Sequence, residues 1–255
     1  MSGILPLKLR NLGVRIGEQR LLDDINLTLG VGQLTVVLGA NGAGKTLLLK
    51  TCAGLLKPCQ GDIQWQTEPR AAVSPAFTLV FQQPVLLHRS ALANITYALH
   101  HLPKAERVNR AKRALQWADC ESLAESTATR LSSGQQQLVA LARAWAMRPQ
   151  VLFLDEPCAN LDPEVSQRLE QLILGLHRDG IKVVMSTHNL AQAQRLASDI
   201  VFVDRGRIGE HSAASEFFRA PRCAAAVRFL AHESANPVTA HPEYDGADTL
   251  NRGLV

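Results

Sequence analysis

Residues 34–46 read LTVVLGANGAGKT. A short apolar, β-branched run leads into a glycine-rich turn, and the turn leads into a helix-forming stretch. The last eight residues, GANGAGKT at 39–46, match G-x-x-x-x-G-K-[ST]. Gly39, Gly42 and Gly44 let the backbone curl until consecutive N–H groups face one centre. Lys45 supplies a point charge for β- and γ-phosphates, and the Thr46 hydroxyl suits Mg²⁺. A strand before the loop and a helix starting near Lys45 are the context this chemistry requires. The stretch therefore predicts a nucleotide-binding α/β protein. The loop by itself leaves kinase, GTPase and ATPase open.

Working outward, short apolar runs recur at 77–81 (FTLVF), 151–154 (VLFL), 181–186 (IKVVMS) and 200–204 (IVFVD). Helical patterns alternate with them. Between Glu164 and Arg178 the apolar residues Val165, Leu169, Leu172, Ile173 and Leu176 fall on one helical face. Buried strands alternating with amphipathic helices predict a mostly parallel sheet. Residues 86–148 break the alternation and read as an inserted helical subdomain, with Pro103 as a helix start and Pro149 as a stop. The first 30 residues and 60–80 read as short antiparallel strands. One domain over 1–232 followed by an unstructured tail over 233–255 is the expected organisation.

The chain has 255 residues, 46% hydrophobic and 20% charged, enough for a sizeable core. A net charge of +4 is compatible with anionic small molecules, a membrane surface or nucleic acid and selects none of them. Five cysteines, an odd number without C-x-x-C spacing, argue against a disulfide framework or a zinc site. MSGILPLKLR at the start does not read as a signal peptide, and no apolar run is long enough to span a bilayer. Lys104, Arg107, Arg110, Lys112 and Arg113 stand at helical spacing with Glu106 among them, and read as a solvated face rather than a nucleic-acid site.

Four further stretches carry chemistry. VLFLDEP at 151–157 is an apolar strand ending in two carboxylates, whose side chains a continuing strand would send to opposite faces. Asp155 suits Mg²⁺ through its water shell, and Glu156 could accept a proton from an attacking water; two solvated charges at a strand end is the plainer reading. NLDPEV at 160–165 opens a helix, with Asp162 as N-cap and Pro163 in the first turn, and a structural cap explains Asp162 as well as a functional role does. STHN at 186–189 and VFQQP at 80–84 follow strands, where parallel sheets place ligand chemistry. His188 could hydrogen-bond a γ-phosphate, and Gln82 could touch a metal-bound water and a partner; each could also be an incidental loop residue. RLSSGQQQLV at 130–139 sets a Ser132-Ser133-Gly134 turn against a helix, leaving bare N–H groups that would attract a second anion.

In this order, GANGAGKT, Gln82, LSSGQ at 131–135, VLFLDEP, NLD and STHN resemble the ATP-binding-cassette (ABC) ATPases over residues 7 to 210. The resemblance implies ATP and Mg²⁺ as ligands. It puts Gly39, Ala40, Asn41, Gly42, Ala43, Gly44, Lys45 and Thr46 on the phosphates. It makes Gln82 a switch near the metal, Asp155 with Thr46 the magnesium residues, Glu156 the general base and His188 the γ-phosphate switch. Ser132, Ser133, Gly134 and Gln135 would bind the γ-phosphate held by a second subunit, and Asp162 would bridge the two. Two chains, head to tail, would then sandwich two ATP molecules.

Two positions depart from the family pattern. Ser133 stands where the signature has its first glycine, and Ile16 stands where an aromatic residue stacks on adenine. The second departure predicts weakened adenine affinity or relaxed base choice. Cys158 stands where the family has Thr or Ser, and its alkylation is expected to slow turnover. The resemblance also implies a separate membrane permease docking near 82–99, on Val85, Leu86 and Leu87, with filling of the helical core by these leucines as the lesser alternative. The chain would sit peripherally on the cytoplasmic face, meet a solute-binding protein only indirectly, and bind no nucleic acid. FQQPVLLHRSALANI and ASEFF at 214–218 are similar to ATPases of oxyanion importers, tungstate above all. Phosphate or polar amino acid importers, exporters or lipoprotein-release ATPases, and soluble non-transport members are the alternatives.

Overall fold

The computed structural model describes residues 3–67 and 76–235. The chain opens with β1 (Leu7–Ile16), β2 (Gln19–Leu29) and β3 (Thr35–Leu38), then the phosphate loop and α1 (Lys45–Cys52), β4 (Gln60–Trp65) and β5 (Phe77–Val80). A helical stretch follows with α2 (Ala91–Ala98), α3 (Lys104–Trp117) and α4 (Ser133–Met147). The remainder alternates: β6 (Val151–Asp155), α5 (Pro163–Arg178), β7 (Lys182–Thr187), α6 (Leu190–Leu196), β8 (Asp199–Asp204), β9 (Arg207–Ala213), α7 (Ala214–Arg219) and α8 (Ala224–Ala235).

Two sheets form. The larger has the order β5-β6-β7-β3-β8-β9, parallel except for β9 at its edge. The smaller, β2-β1-β4, is antiparallel. The central strands are apolar between their ends because both faces are covered. Leu152, Leu154, Val183, Met185, Ile200 and Phe202 face one core with α5, α6 and α7, while Val151, Phe153, Val184, Val201 and Val203 face another with α1 and the small sheet. Successive strand residues point to opposite faces, so a continuous apolar run is what a doubly covered strand needs. The α2–α4 stretch has a third core around Ala91, Ile95, Leu115 and Val139. Helix α4 serves two cores: Leu138 and Leu141 face the sheet, Val139 and Ala142 face α2 and α3.

Several expectations change. The run at 77–81, which reads both as a buried strand of the parallel sheet and as part of the antiparallel stretch 60–80, takes the first of these places and pairs parallel with β6. Residues 68–75 of that stretch, and 236–255 of the expected tail, lie outside the described residues. Residues 233–235 close α8 instead of opening the tail. The basic run is not uniformly solvated: Arg110 is buried and Arg107 half-buried, while Lys104, Lys112 and Arg113 are exposed. Among the described residues no helix is long and apolar enough to cross a membrane.

Candidate active site

The carboxyl ends of β3, β6 and β7 open onto a cleft of about 490 Å³. It is lined by Asn41, Gly42, Gly44, Lys45, Thr46 and Leu47 from the loop and α1, by Glu156, Ala159 and Asn160 after β6, by His188 after β7, and by Gln82 after β5. The loop shape depends on Gly44, whose φ is +109° and where a Cβ would meet Leu22 Cδ2 at 2.9 Å. Only glycine takes both the dihedral and the contact without strain.

Lys45 is 5% exposed. Its ammonium donates to the carbonyls of Gly39 (2.9 Å) and Ala40 (3.0 Å) and pairs with Glu156 Oε1 at 3.2 Å. Without partners a buried cation would cost several kcal/mol, so these contacts hold the charge in place. The other Glu156 oxygen meets His188 Nδ1 at 3.1 Å. The His188 hydrogen bond, with Lys45 adding to it, holds the Glu156 carboxyl below its ordinary value against the opposing effect of burial. Glu156 sits at φ +43°, outside the strand. That left-handed residue, costing on the order of 1–2 kcal/mol, ends the strand alternation that would have sent Asp155 and Glu156 to opposite faces. Its N–H donates to Ser186 Oγ (3.0 Å) and Ser186 O (3.2 Å), which fixes the turn.

Asp155 Oδ1 accepts from Thr46 Oγ1 and from Ser186 Oγ, each at 2.8 Å. Thr46 lines the cleft and the buried Asp155 is bonded to Thr46, which makes an oxygen-only donor set. Ser186 thus orients both carboxylate residues. Sequence reasoning assigned it no role, and the available signal was its place two residues before His188 on a strand adjacent to β6. Asn160 and Ala159 were also not singled out, although they fall inside DEPCANLD.

The remaining predicted residues lie elsewhere or behave differently. Ser132 to Gln135 do not line this cleft. Their turn is a capping box: Ser132 Oγ accepts from Gln135 N–H, and Gln135 Oε1 accepts from Ser132 N–H. The bare N–H groups expected there are therefore partly satisfied from within. Gly134 is required by packing, since a Cβ would meet Val165 Cγ1 at 2.7 Å. Asp162 occupies the N-cap of α5 but makes no capping bond, and its side chain is exposed. Ile16 ends β1, is 53% exposed, and does not line the cleft. Val85 and Leu87 are exposed, whereas Leu86 packs into the helical core, so the two readings of this segment divide between residues. Cys158 is half-buried, and burial pushes its thiol up to about 12, which leaves little thiolate for alkylation.

A parallel sheet that carries a lysine-bearing glycine loop, with carboxylates ending the neighbouring strand, is built to bind and split a nucleoside triphosphate. The protein is a P-loop ATPase. The family profile described as "ABC transporter" matches residues 22–159, and the chain belongs to that family as an ATP-binding, ATP-hydrolysing subunit. It is similar to the tungstate uptake system ATP-binding protein TupC of Peptoclostridium acidaminophilum, 36% identical over 81% of this chain and 98% of that one. It is 34% identical to the Fe(3+) ions import ATP-binding protein FbpC of Escherichia coli K12, over 91% of this chain and 69% of that one. Among solved structures, cbiO1 from Clostridium perfringens, part of the ABC transporter complex cbiONQ, superposes with a TM-score of 0.74 at 27% identity, covering 87% of this chain and 92% of that one. A dimeric ATP-binding cassette in a post-hydrolysis state bound to ADP and Pi gives 0.72 at 27% identity, covering 82% and 98%.

Proposed function

We propose that this ATPase works as one half of a head-to-tail dimer that drives a membrane permease importing a small solute, with an oxyanion such as tungstate as the first choice. The observation that carries the mechanism is the Lys45–Glu156–His188 constellation over the phosphate loop. Lys45 and Glu156 neutralise each other across 3.2 Å. A γ-phosphate would draw the lysine away and leave Glu156 facing water. Losing that cation raises the basicity of Glu156, so the base strengthens as the substrate seats. His188, on the other carboxylate oxygen, keeps Glu156 aimed. The oxygen donors of Thr46 and Asp155, with the Gln82 amide nearby, fit Mg²⁺, which keeps several waters and takes few protein ligands. Bound there, the ion would neutralise phosphate charge.

Ser132, Ser133, Gly134 and Gln135 lie outside the cleft, which supports a role on a partner's nucleotide. The Ser133 and Gly134 N–H groups stay outside the capping box and remain suited to an anion. Asp162 is exposed and makes no capping bond, which supports a role in meeting the partner. The permease would dock on Val85 and Leu87 and hold the chain at the cytoplasmic face of the membrane, with a solute-binding protein acting only through it. Relatives named for tungstate, Fe(3+), sulfate/thiosulfate, putrescine and taurine import are 31–36% identical to this chain. The oxyanion choice rests on the tungstate relative matching over nearly its whole length. The test is ATPase activity of the complex captured from membranes. Stimulation by tungstate but not by taurine, putrescine or Fe(3+) is expected, and stimulation by one of the others replaces the solute.

A further inference from the structure

The loop carrying Gln82 is held from α4 on both sides of that residue. Arg143 Nη1 donates to Val85 O at 2.9 Å, and Gln137 Nε2 reaches Phe81 O at 3.5 Å. Gln137 is 2% exposed, and its Oε1 has no hydrogen-bond partner among the described residues. An orphaned buried oxygen is a cost that the Phe81 contact must help to offset. Further along, buried Asn94 on α2 accepts from Leu87 N–H (2.7 Å) and donates to the carbonyls of Leu87 (3.1 Å), Arg89 (3.3 Å) and Ser90 (3.0 Å). Residues 85–90 are therefore tied to the helical layer, and Gln82 lies between two carbonyls gripped by α4.

Helix α4 begins with the capping box at Ser132 and Gln135, so the same rigid rod carries the LSSGQ turn at one end and Arg143 near the other. Burial lowers the pKa of the Arg143 guanidinium, and no carboxylate pairs with it among the described residues. Its guanidinium donates to the Val85 carbonyl. A charge left half-buried for one neutral acceptor indicates that holding this loop is what it does.

We infer that Arg143, assisted by Gln137, is a positioning residue that makes the Gln82 loop and the LSSGQ turn move as one body, so that displacement of 85–87 reaches both the cleft and the partner-facing turn. This rests on the dimeric reading above. Hydrogen-exchange mass spectrometry tests it in the full chain. Without nucleotide, Arg143→Met should speed exchange of 82–87 about tenfold, with Val151–Asp155 and Lys182–Thr187 unchanged. Arg143→Lys, which keeps a donor, should stay within about threefold of wild type. kcat should fall about tenfold in Arg143→Met with KM for ATP within twofold. In Glu156→Gln, ATP should protect 82–87 together with 132–136; adding Arg143→Met should remove only the first.

Unchanged exchange at 82–87 in Arg143→Met, or protection there that survives the double substitution, overturns the inference. If Arg143→Met does not fold, Gln137→Met decides by the same nucleotide-free exchange. Absence of ATP protection at 132–136 in Glu156→Gln itself would sink the dimeric reading instead, while the nucleotide-free exchange still decides the clamp.

Discussion

The two ends of the parallel sheet each bury a lysine beside a carboxylate, and only one end is a site. At the carboxyl end Lys45 touches Glu156 directly at 3.2 Å and borders an open cleft. At the amino end Lys182, 3% exposed, donates to Gln33 O (2.8 Å) and Thr35 Oγ1 (2.6 Å). Thr35 donates in turn to Asp199 Oδ1 (2.8 Å), whose other oxygen meets His211 Nε2 (2.7 Å). Burial pushes Lys182 down to about 8, with the negative charge of Asp199 opposing it. Thr35, Lys182 and Asp199 are the first residues of three adjacent strands, so their geometry is set by the ladder. Lys45 holds its partners from a loop that an anion can enter. A buried lysine and carboxylate therefore do not make a site; exchangeable partners facing a cleft do.

Substitutions at the two ends should separate them. The largest effect is expected for Glu156→Gln, with kcat down ~10²- to 10⁴-fold, ATP binding retained and an ATP-dependent dimer seen by light scattering; undiminished turnover would remove Glu156 as base. Because its folded pKa is lowered, Glu156 stabilises the fold above its ordinary value of 4.5, and that stability is lost as pH falls through the folded value. Glu156→Gln should thus also flatten part of the acid limb of a urea-midpoint series.

Next is Lys45→Ala, expected to weaken ATP binding roughly 10- to 100-fold, the loss of one charge-assisted contact, and ADP binding by less. Equal losses for both nucleotides, measured by calorimetry, would take the lysine off the γ-phosphate. Smaller again is base choice: with Ile16 where stacking was expected, ATP and GTP affinities should lie within about tenfold of each other, since one stacking contact contributes ~1–3 kcal/mol. A strong ATP preference at sub-micromolar affinity would contradict this.

The smallest effect on turnover belongs to the other end. Lys182→Met should leave kcat within about twofold, against the losses expected at Lys45. Its signature is in stability. The folded pKa of about 8 lies below the ordinary 10.5, so between these values the unfolded chain binds a proton the folded chain lacks. Stability should rise with pH across that window in the wild type, and Lys182→Met should lose the rise. A pH slope unaffected by the substitution would break the contrast between the two lysines.

Much of this was legible along the chain. GANGAGKT, the apolar strands and the one-sided helix at 164–178 are local patterns, set by glycine geometry and by which faces must be covered. Gln82, Glu156 and His188 could be placed near the loop because all of them follow strands, and parallel strands deliver their ends to one side. Other features depend on neighbours. The parallel pairing of β5, the left-handed turn at Glu156 and the part played by Ser186 follow from which strands lie side by side. The capping box at Ser132 is local, but its reciprocal bonds compete with the anion-binding reading that the same residues suggest. Burial at Arg110 changed the solvated-face reading that helical spacing had favoured.

By itself the sequence determined the phosphate loop, the alternating strands and helices and the residues able to bind, pair or take a proton, because these depend on side-chain chemistry and short-range geometry. Tertiary structure alone decided that Lys45 pairs with Glu156 while Lys182 meets Asp199 only through Thr35, and that α4 grips the backbone on either side of Gln82. Those contacts join residues distant along the chain, and it is strand order and packing, not spacing, that bring their charges within hydrogen-bond reach.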